Sequence, residues 1–344
     1  MSSKRSTLDT NLKLSTGVSI VVCCYNSEKV LPETLLHLSQ QQVPENINWE
    51  VIVVDNASTD QTSAIARKIW DELGNSTTMQ VVQEKTPGLS AARRMGTLSA
   101  QFDTLIFCDD DNWLDSDYVT IAATLMEDDR IGVAGGIGRA VSSVELPDWF
   151  ATHQRSYAVG PPTNKTGFIK SCVYGAGMVL RTQTLKSAYE AGFESLLSDR
   201  KGGELSSGGD TEISEWCHII DGRGWFNSDK LKFQHFIQPN RLTKEYLKKL
   251  KRGFGQMYAI LRLYRKMREG TSSAISQWWS WRLIHSVFII PVLALFHKRL
   301  GRSSWAAFTM TEHLKWLTQN RNQYRHALTA IKKMHNSEAR TIIK

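Results

Sequence analysis

Short apolar runs alternate with longer amphipathic stretches through the first third of the chain. Four of these runs have the continuous hydrophobic character of strands buried on both faces of a sheet, at residues 18–26, 50–55, 79–82 and 104–108. Between them, apolar residues recur at helical spacing, as in Ile65 and Ile69. Strands that alternate with helices at this interval predict repeated βαβ units and a mostly parallel sheet flanked by helices, the α/β class.

The pattern changes after Asp129. The next apolar segments are glycine-rich or interrupted, and they predict strands at residues 131–140, 171–181 and 225–236. Between the last two, a glycine-rich loop leads to Asp210 and a helix. From Leu242 onward the sequence is basic, amphipathic and helical in its periodicity, so a C-terminal helical subdomain is predicted to follow the sheet.

Three consecutive aspartates, Asp109, Asp110 and Asp111, follow the strand at residues 104–108. In open α/β sheets, ligands bind where the carboxyl ends of the strands emerge, and the cluster is predicted to lie there. Adjacent carboxylates repel one another unless a cation shares them, and their oxygen atoms suit Mg²⁺ or Mn²⁺. The alternative is an acidic loop that caps the next helix through Asp115.

The chain carries a formal net charge of +8, and its basic residues are concentrated in the last third. This asymmetry predicts an anionic partner. The apolar run at residues 287–296 is shorter than the roughly 20 residues that span a bilayer. Tryptophans and basic residues beside it fit a helix that lies on an anionic membrane surface. The alternative is packing on the core or on another subunit, and no nucleic-acid recognition motif accompanies the basic residues.

The five cysteines are an odd number without metal-type spacing, and three of them fall in predicted strands as small hydrophobic residues. A reduced, cytoplasmic environment is therefore expected. Residues 1–16 are polar and contain no apolar core, so they are interpreted as a flexible N-terminus without a signal peptide. If the basic helices bind lipid, peripheral attachment to the inner face of the plasma membrane follows.

Five motifs occur in an order that resembles family-2 glycosyltransferases, at residues 18–26, 53–60, 88–93, 107–111 and 208–212. The resemblance implies the Rossmann-like GT-A fold over residues 17–240, with a nucleotide-binding half (17–112) and an acceptor half (113–240), followed by the helical tail (241–344). It implies inverting transfer of a sugar from a UDP-, GDP- or dTDP-linked donor to a hydroxyl of a saccharide or lipid-linked acceptor. Synthesis of a surface polysaccharide, oligosaccharide or glycolipid is the expected setting.

In the resembled family, the nucleotide-sugar is bound mainly by the first half of the domain. The matching positions are Cys23, Tyr25, Glu28, Asp55, Arg93, Asp109 and Asp110. Tyr25 is suited to stack on a base, and Arg93 can reach a phosphate as a fork. The alternatives are a half-buried tyrosine at a strand end, a solvated arginine on a helix, and, for Asp55, a turn aspartate that bonds its own backbone.

The resemblance also implies that the acidic cluster is a DXD motif, which binds Mg²⁺ or Mn²⁺ together with the donor diphosphate. Asp109 would face ribose and metal, Asp111 would bind the metal directly, and His235 is the candidate third ligand. Asn112 stands where the family often has a further aspartate, so this site is less negative than usual. The alternatives for His235 are a contact with the diphosphate and a purely structural role.

Asp210 is the candidate catalytic base. Displacement with inversion needs a carboxylate on the acceptor side that takes the hydroxyl proton. The family commonly has Gly-Glu-Asp here, whereas this chain has Gly209 before Asp210, and Glu212 is the substitute candidate. The alternative is that Asp210 only caps the helix. Trp216 is expected either to stack on a sugar ring or to pack in the core.

Two other functions fit parts of the pattern. A nucleotidyltransferase that makes sugar nucleotides would need a glycine-rich, lysine-bearing phosphate loop near the first strand, and residues 23–26 offer none. A non-catalytic sugar-nucleotide-binding scaffold would keep the fold and lose turnover. The lack of a Gln-x-x-Arg-Trp segment favours single transfers over processive polymer synthesis.

Overall fold

A computed structural model describes residues 14–190, 192–197, 207–268 and 305–336. Its strands are β1 (Ser15–Cys24), β2 (Trp49–Asn56), β3 (Met79–Glu84), β4 (Phe102–Asp109), β5 (Asn112–Leu114), β6 (Ile131–Val141), β7 (Gly167–Ile169), β8 (Met178–Arg181) and β9 (Gly224–Phe236). In this part of the chain they form one sheet of order β3-β2-β1-β4-β8-β6-β9-β5, and β7 pairs with β9 beside this path.

Helices cover both faces of the sheet and continue beyond it. They are α1 (Leu31–Ser39), α2 (Thr62–Leu73), α3 (Leu89–Ser99), α4 (Tyr118–Met126), α5 (Phe150–His153), α6 (Thr182–Glu190), α7 (Gly209–Asp221), α8 (Lys244–Arg268), α9 (Trp305–Gln319) and α10 (Arg321–Asn336). Short 3-10 helices span Gln154–Tyr157 and Pro239–Arg241.

The first half of the sheet is parallel. β3, β2, β1 and β4 pair side by side, and α1, α2 and α3 connect them in turn. Neighbouring residues of these strands, such as Ile20 and Val21, are fully buried in clusters on opposite faces of the sheet. Burial on both faces explains why these strands appear in the sequence as continuous apolar runs. The predicted βαβ pattern is confirmed in this half.

The second half of the sheet is mixed. β8 pairs antiparallel with both β4 and β6, and β9 runs parallel to β6. The short strand β5 pairs antiparallel with β9, and Asn112 faces His235 in this register. The acidic turn between β4 and β5 is therefore held beside the end of β9.

One predicted strand is shorter than the sequence indicated. The apolar pattern predicted a strand over residues 171–181, whereas β8 covers only Met178–Arg181. Gly177 has a φ of 67°, in the left-handed region that extended strands do not use, and Gly175 lies in the same preceding loop. This loop, rather than a strand, forms one wall of the cavity described below.

The first C-terminal helix belongs to the core of the sheet domain. Ile260, Leu261 and Tyr264 of α8 pack in the same hydrophobic cluster as Trp216 of α7. Gly255 lets α9 approach α8 closely, since a Cβ atom there would lie 2.8 Å from the backbone nitrogen of His313. Part of the predicted helical tail is thus packed on the domain that precedes it.

Some predicted features lie outside the described residues. These are the polar segment at residues 1–13, most of the glycine-rich loop before Asp210, and the tryptophan-rich apolar segment at 278–296. Within the described residues, no helix combines the length and the apolar character that are needed to cross a bilayer.

Candidate active site

A cavity of about 440 Å³ opens where β4 and β9 end. Among its lining residues are Arg93, Asp109, Asp210, His235 and Arg241. Arg93 and Asp109 come from the predicted nucleotide-binding half, and Asp210 and His235 come from the predicted acceptor half. The fold therefore brings the candidate base and part of the acidic cluster to one shared cavity.

The three aspartates of the acidic turn have different partners. Asp110 accepts a hydrogen bond from the Ser27 hydroxyl, and its backbone carbonyl accepts one from the hydroxyl of Thr34 at 2.6 Å. Burial, together with the neighbouring charge of Asp111, raises the pKa of Asp110 to about 7. Asp110 thus anchors the turn to the segment after β1.

Asp111 is almost completely buried and receives three polar groups. Its Oδ2 atom accepts a hydrogen bond from Nη1 of Arg241 at 2.7 Å. Its Oδ1 atom lies 3.5 Å from Nε2 of His235 and accepts a 3.3 Å hydrogen bond from the side-chain amide of Asn112. An aspartate at position 112 would set a second carboxylate against Asp111, so the amide suits this turn.

His235 is oriented as a metal-binding histidine would be. Its Nδ1 atom lies 2.7 Å from the carbonyl oxygen of Tyr157, to which it can only donate a proton. The neutral ring then carries a lone pair on Nε2, which is buried, faces Asp111 and has no hydrogen-bond partner among the described residues. A backbone carbonyl that fixes the far nitrogen is the usual outer-shell partner of a ligating histidine.

Asp111 and His235 are the two predicted metal ligands that the structure brings together. The third, Asp109, instead has its Oδ1 atom 3.9 Å from Nη2 of Arg93. In the described part of the chain, no three carboxylate, histidine or thiol side chains are grouped closely enough to bind an ion. One carboxylate and one imidazole fit a Mn²⁺ or Mg²⁺ ion that takes its remaining ligands from phosphate and water.

Arg93 and Asp210 meet at Gly175. Arg93 is buried, with its guanidinium 5.6 Å from the centre of the Phe107 ring. A Cβ atom at Gly175 would lie 2.8 Å from Nη2 of Arg93 and 2.7 Å from Cβ of Asp210. Because any side chain here would collide with both residues, glycine allows Arg93 and Asp210 to approach each other.

Two backbone amides fix the carboxylate of Asp210. Thr211 donates to its Oδ1 atom at 2.7 Å, and Gly175 donates to its Oδ2 atom at 2.8 Å. The first bond serves the first turn of α7, as the capping alternative predicted. The same side chain also lines the cavity, so the capping bond does not remove Asp210 from the site.

Glu212 and Trp216 lie in the interior. Glu212 is fully buried, and its carboxylate accepts hydrogen bonds from the Ser195 hydroxyl at 2.6 Å and the Tyr264 hydroxyl at 2.5 Å. Burial raises its pKa to about 7. The suggestion that Glu212 could replace Asp210 is therefore wrong, because buried packing separates it from the cavity. Trp216 packs against Phe193 and Tyr264, as its core alternative predicted.

The end of β1 and the segment that follows it hold three of the predicted nucleotide-contacting residues. Cys23 packs in the core, and burial raises the pKa of its thiol to about 12. Tyr25 is 55% exposed, so its ring is free to stack on a ligand. Glu28 accepts a hydrogen bond from the backbone of Gln61 at 3.2 Å and thereby ties this segment to the start of α2.

Asp55 is held at the end of β2 by three donors. They are the backbone of Ser58 at 3.1 Å, the hydroxyl of Ser63 at 2.5 Å and the amide of Gln83 at 3.0 Å. Burial opposes its ionisation, but these hydrogen bonds outweigh burial and lower the pKa of Asp55 below its ordinary value. The bond from Ser58 is the contact expected of a turn aspartate, which was the alternative for Asp55.

Two site residues were not found by sequence reasoning. Arg241, which bonds Asp111, follows Gln238 at the spacing of Gln-x-x-Arg-Trp, with Leu242 in place of tryptophan. That incomplete match is the sequence feature that could have pointed to Arg241. For Gly175 the sequence feature is weaker, because a glycine in a predicted strand indicates a close approach but does not identify the residue that approaches.

Matches to known proteins agree with the geometry of the first half. Residues 19–186 match the family described as Glycosyl transferase family 2. Over these residues, a little under half of the chain, the sequence is similar to family-2 glycosyltransferases. Arg93 and the acidic cluster lie within this match, whereas Asp210, His235 and Arg241 lie beyond it. The part of the cavity lined by these three residues thus lies outside the family match.

The matches to curated relatives cover only short parts of those proteins. The chain is 31% identical over 110 residues to the poly(ribitol-phosphate) beta-N-acetylglucosaminyltransferase TarS of Staphylococcus aureus, which is 32% of this chain and 19% of TarS. It is 36% identical over 99 residues to human dolichyl-phosphate beta-glucosyltransferase, which is 27% of this chain and 31% of that protein. The chain therefore spans less than a third of each relative.

Solved structures share the fold over nearly the whole chain. The mannosyltransferase PcManGT from Pyrobaculum calidifontis, in complex with GDP-Man and Mn²⁺, aligns with a TM-score of 0.52 at 14% identity, covering 97% of this chain and 82% of that one. S. aureus TarS 1-349 in complex with UDP-GlcNAc aligns with a TM-score of 0.50 at 18% identity, covering 89% and 92%. The predicted GT-A fold is confirmed.

Proposed function

We propose that this protein is a glycosyltransferase that moves a sugar from a nucleoside-diphosphate donor to an acceptor hydroxyl, with inversion at the anomeric carbon. The observation that carries the proposal is the shared cavity, which Asp210 lines together with Arg93 and Asp109. The family-2 match and the complexes of structural neighbours with GDP-Man and UDP-GlcNAc support a nucleotide-sugar donor.

On the donor side, cationic groups surround the expected position of the diphosphate. Arg93 and Arg241 present guanidinium groups whose fork geometry suits phosphate oxygens. Asp111 and His235 are the residues that would hold a divalent cation, Mg²⁺ or Mn²⁺, as the Mn²⁺ complex of PcManGT supports. Such a cation, when bound, neutralises the charge that develops on the leaving diphosphate.

On the acceptor side, Asp210 is the proposed base. The bonds from Gly175 and Thr211 hold its carboxylate in one orientation, and the side chain lines the cavity. The acceptor oxygen loses its proton to Asp210 as it forms a bond to the anomeric carbon, while the bond to the diphosphate breaks on the opposite face. Separation of the base from the leaving-group site gives inversion.

The acceptor is proposed to belong to cell-surface polysaccharide, oligosaccharide or glycolipid synthesis, as the names of the relatives TarS and dolichyl-phosphate beta-glucosyltransferase suggest. Peripheral binding to an anionic membrane through residues 278–296 stays a prediction. Sedimentation with anionic liposomes at low salt tests it, and a protein that remains entirely in the supernatant contradicts it.

The direct test of function is release of nucleoside diphosphate from a panel of UDP-, GDP- and dTDP-sugars, with Mn²⁺ or Mg²⁺ and a cell lipid and glycan extract as acceptor. The proposal expects release from one donor to rise when extract is added. Donor binding without any acceptor-dependent release would favour the non-catalytic scaffold instead.

A further inference from the structure

The cavity lining also includes a second region, whose charged residues have no role in the proposed binding of the donor. Here one wall is α8 and the other is the 3-10 helix at Gln154–Tyr157. The cavity-lining residues of this region include Arg155, Ser156, Tyr246, Leu250, Lys251, Phe254 and Tyr258. Apolar and aromatic side chains thus alternate with two cations.

Lys251 is a half-buried cation without an anionic partner among the described residues. Its Nζ atom donates to the neutral hydroxyl of Ser156 at 2.9 Å and lies 5.6 Å from the centre of the Phe254 ring. Burial lowers the pKa of Lys251. A partly desolvated ammonium group gains free energy when an anion enters its surroundings.

Arg155 and Tyr174 add further donors to the same region. Nη2 of Arg155 bonds the neutral side-chain amide of Asn164 at 2.5 Å, so its charge is not compensated by that contact. The hydroxyl of Tyr174, which also lines the cavity, is buried and has no hydrogen-bond partner among the described residues.

The other cavity-lining arginines differ in this respect. Arg93 faces Asp109 at 3.9 Å, Arg241 bonds Asp111 at 2.7 Å, and Arg265 faces Glu215 at 3.6 Å. These three arginines therefore face carboxylates, whereas Lys251 and Arg155 contact neutral groups. The imbalance marks the α8 side as an anion-binding region.

We propose that Lys251 and Arg155 form a subsite for a phosphate ester on the acceptor, with the aromatic and apolar side chains of α8 contacting the portion next to that phosphate. This inference rests on the proposed function, because it names the acceptor class for the same cavity. Lipid phosphates and polyol phosphates both carry such a phosphate ester, and the probes below distinguish these two sources.

Binding of three probes to the full-length protein, measured by calorimetry with the donor-side product UDP or GDP present, tests the subsite without relying on turnover. The probes are decyl phosphate, glycerol 3-phosphate and the neutral control decanol. Decyl phosphate should bind about tenfold more tightly to the wild type than to Lys251→Met, since a hydrogen bond to a charged group is lost. Tighter binding of decyl phosphate than of glycerol 3-phosphate indicates a lipid phosphate, and the reverse indicates a polyol phosphate.

Three variants make the test specific. Arg155→Gln, at an exposed position, should also weaken phosphate binding, and Lys251→Arg should retain it. Lys248→Met, at an exposed position of α8 outside the cavity, should leave it unchanged. The subsite is disproved if decanol binds the wild type as tightly as decyl phosphate, or if Lys248→Met loses as much affinity as Lys251→Met. Phosphate binding that depends on Lys251 in a protein without transferase activity would refute the proposed function and leave the subsite standing.

Discussion

The two halves of the sheet contribute to the cavity region in different ways. In the first half, parallel strands end at one edge of the sheet, and polar residues stand at the strand ends, as Asp55 does in β2 and Asp109 does in β4. From the second half, Asp210, His235 and Arg241 reach the cavity from a helix, an interior strand and a 3-10 helix. Local order in the sequence therefore places the first group of residues, and tertiary packing places the second.

This difference explains which expectations held. The order of the parallel strands, the acidic turn and the shared cavity of Asp109 and Asp210 could be predicted, because each functional group directly follows an apolar run or a glycine-rich loop. The pairing of Arg241 with Asp111 could not, because it depends on β5 placing the acidic turn beside β9. The incomplete Gln-x-x-Arg-Trp match at Arg241 does not name Asp111 as its partner.

The two sides also differ in how they fix their carboxylates. Asp111 is held by side chains that are far away in the sequence, whereas Asp210 is held by two backbone amides. Substitutions on the donor side should therefore change charge and metal affinity, and substitutions on the acceptor side should change proton transfer. Four predictions test the contrast, from the largest expected effect to the smallest.

The largest effect is expected for Asp111→Asn. Loss of this charge removes one of the two proposed metal ligands, so kcat/KM should fall by about 10²–10³-fold, and binding of Mn²⁺, measured by electron paramagnetic resonance, should weaken. Asp229→Asn, at an exposed position of β9, is the matched control and should retain activity. Unchanged Mn²⁺ affinity in Asp111→Asn would contradict the donor-side assignment.

The next effect concerns Glu212, which joins α7 to α8. Its pKa is about 7 in the folded protein and 4.5 ordinarily, so the folded state holds its proton more tightly than the unfolded chain does. The resulting stabilisation is complete below pH ~4.5 and is lost as pH rises through ~7, by up to about 3 kcal/mol. Urea unfolding between pH 5 and pH 8, at about one-unit intervals, should show this decline in the wild type and a flatter profile in Glu212→Gln. Parallel stability profiles for the wild type and Glu212→Gln would show that Glu212 does not cause the decline.

Gly175→Ala should push Arg93 and Asp210 apart at the point where they approach each other. The new methyl group would collide with Cβ of Asp210 and the guanidinium of Arg93. We expect a loss of about 1–3 kcal/mol in the free energy of unfolding, together with reduced transfer, measured by chemical denaturation and by initial rates. Wild-type stability and rate in this variant would show that the close approach is not needed.

The smallest effect is expected at the outer surface of α8. Arg252 pairs with Glu312 of α9 at 3.1 Å, but the arginine side chain is 65% exposed. Because solvent screens such pairs, Arg252→Ala should change the free energy of unfolding by less than about 1 kcal/mol, with no effect on transfer. Thermal unfolding checks this, and a loss well beyond that range would mean that α9 contributes more to the domain than its contacts indicate.

The central claim is that Asp210 takes the proton of the acceptor hydroxyl while the donor is bound in the same cavity. The most direct measurement compares Asp210→Asn with the wild type in sugar transfer and in equilibrium donor binding. The account predicts that transfer falls by about 10²-fold or more, while the Kd for the donor changes by less than about twofold. Wild-type transfer in Asp210→Asn, or a loss explained entirely by weaker donor binding, would contradict it.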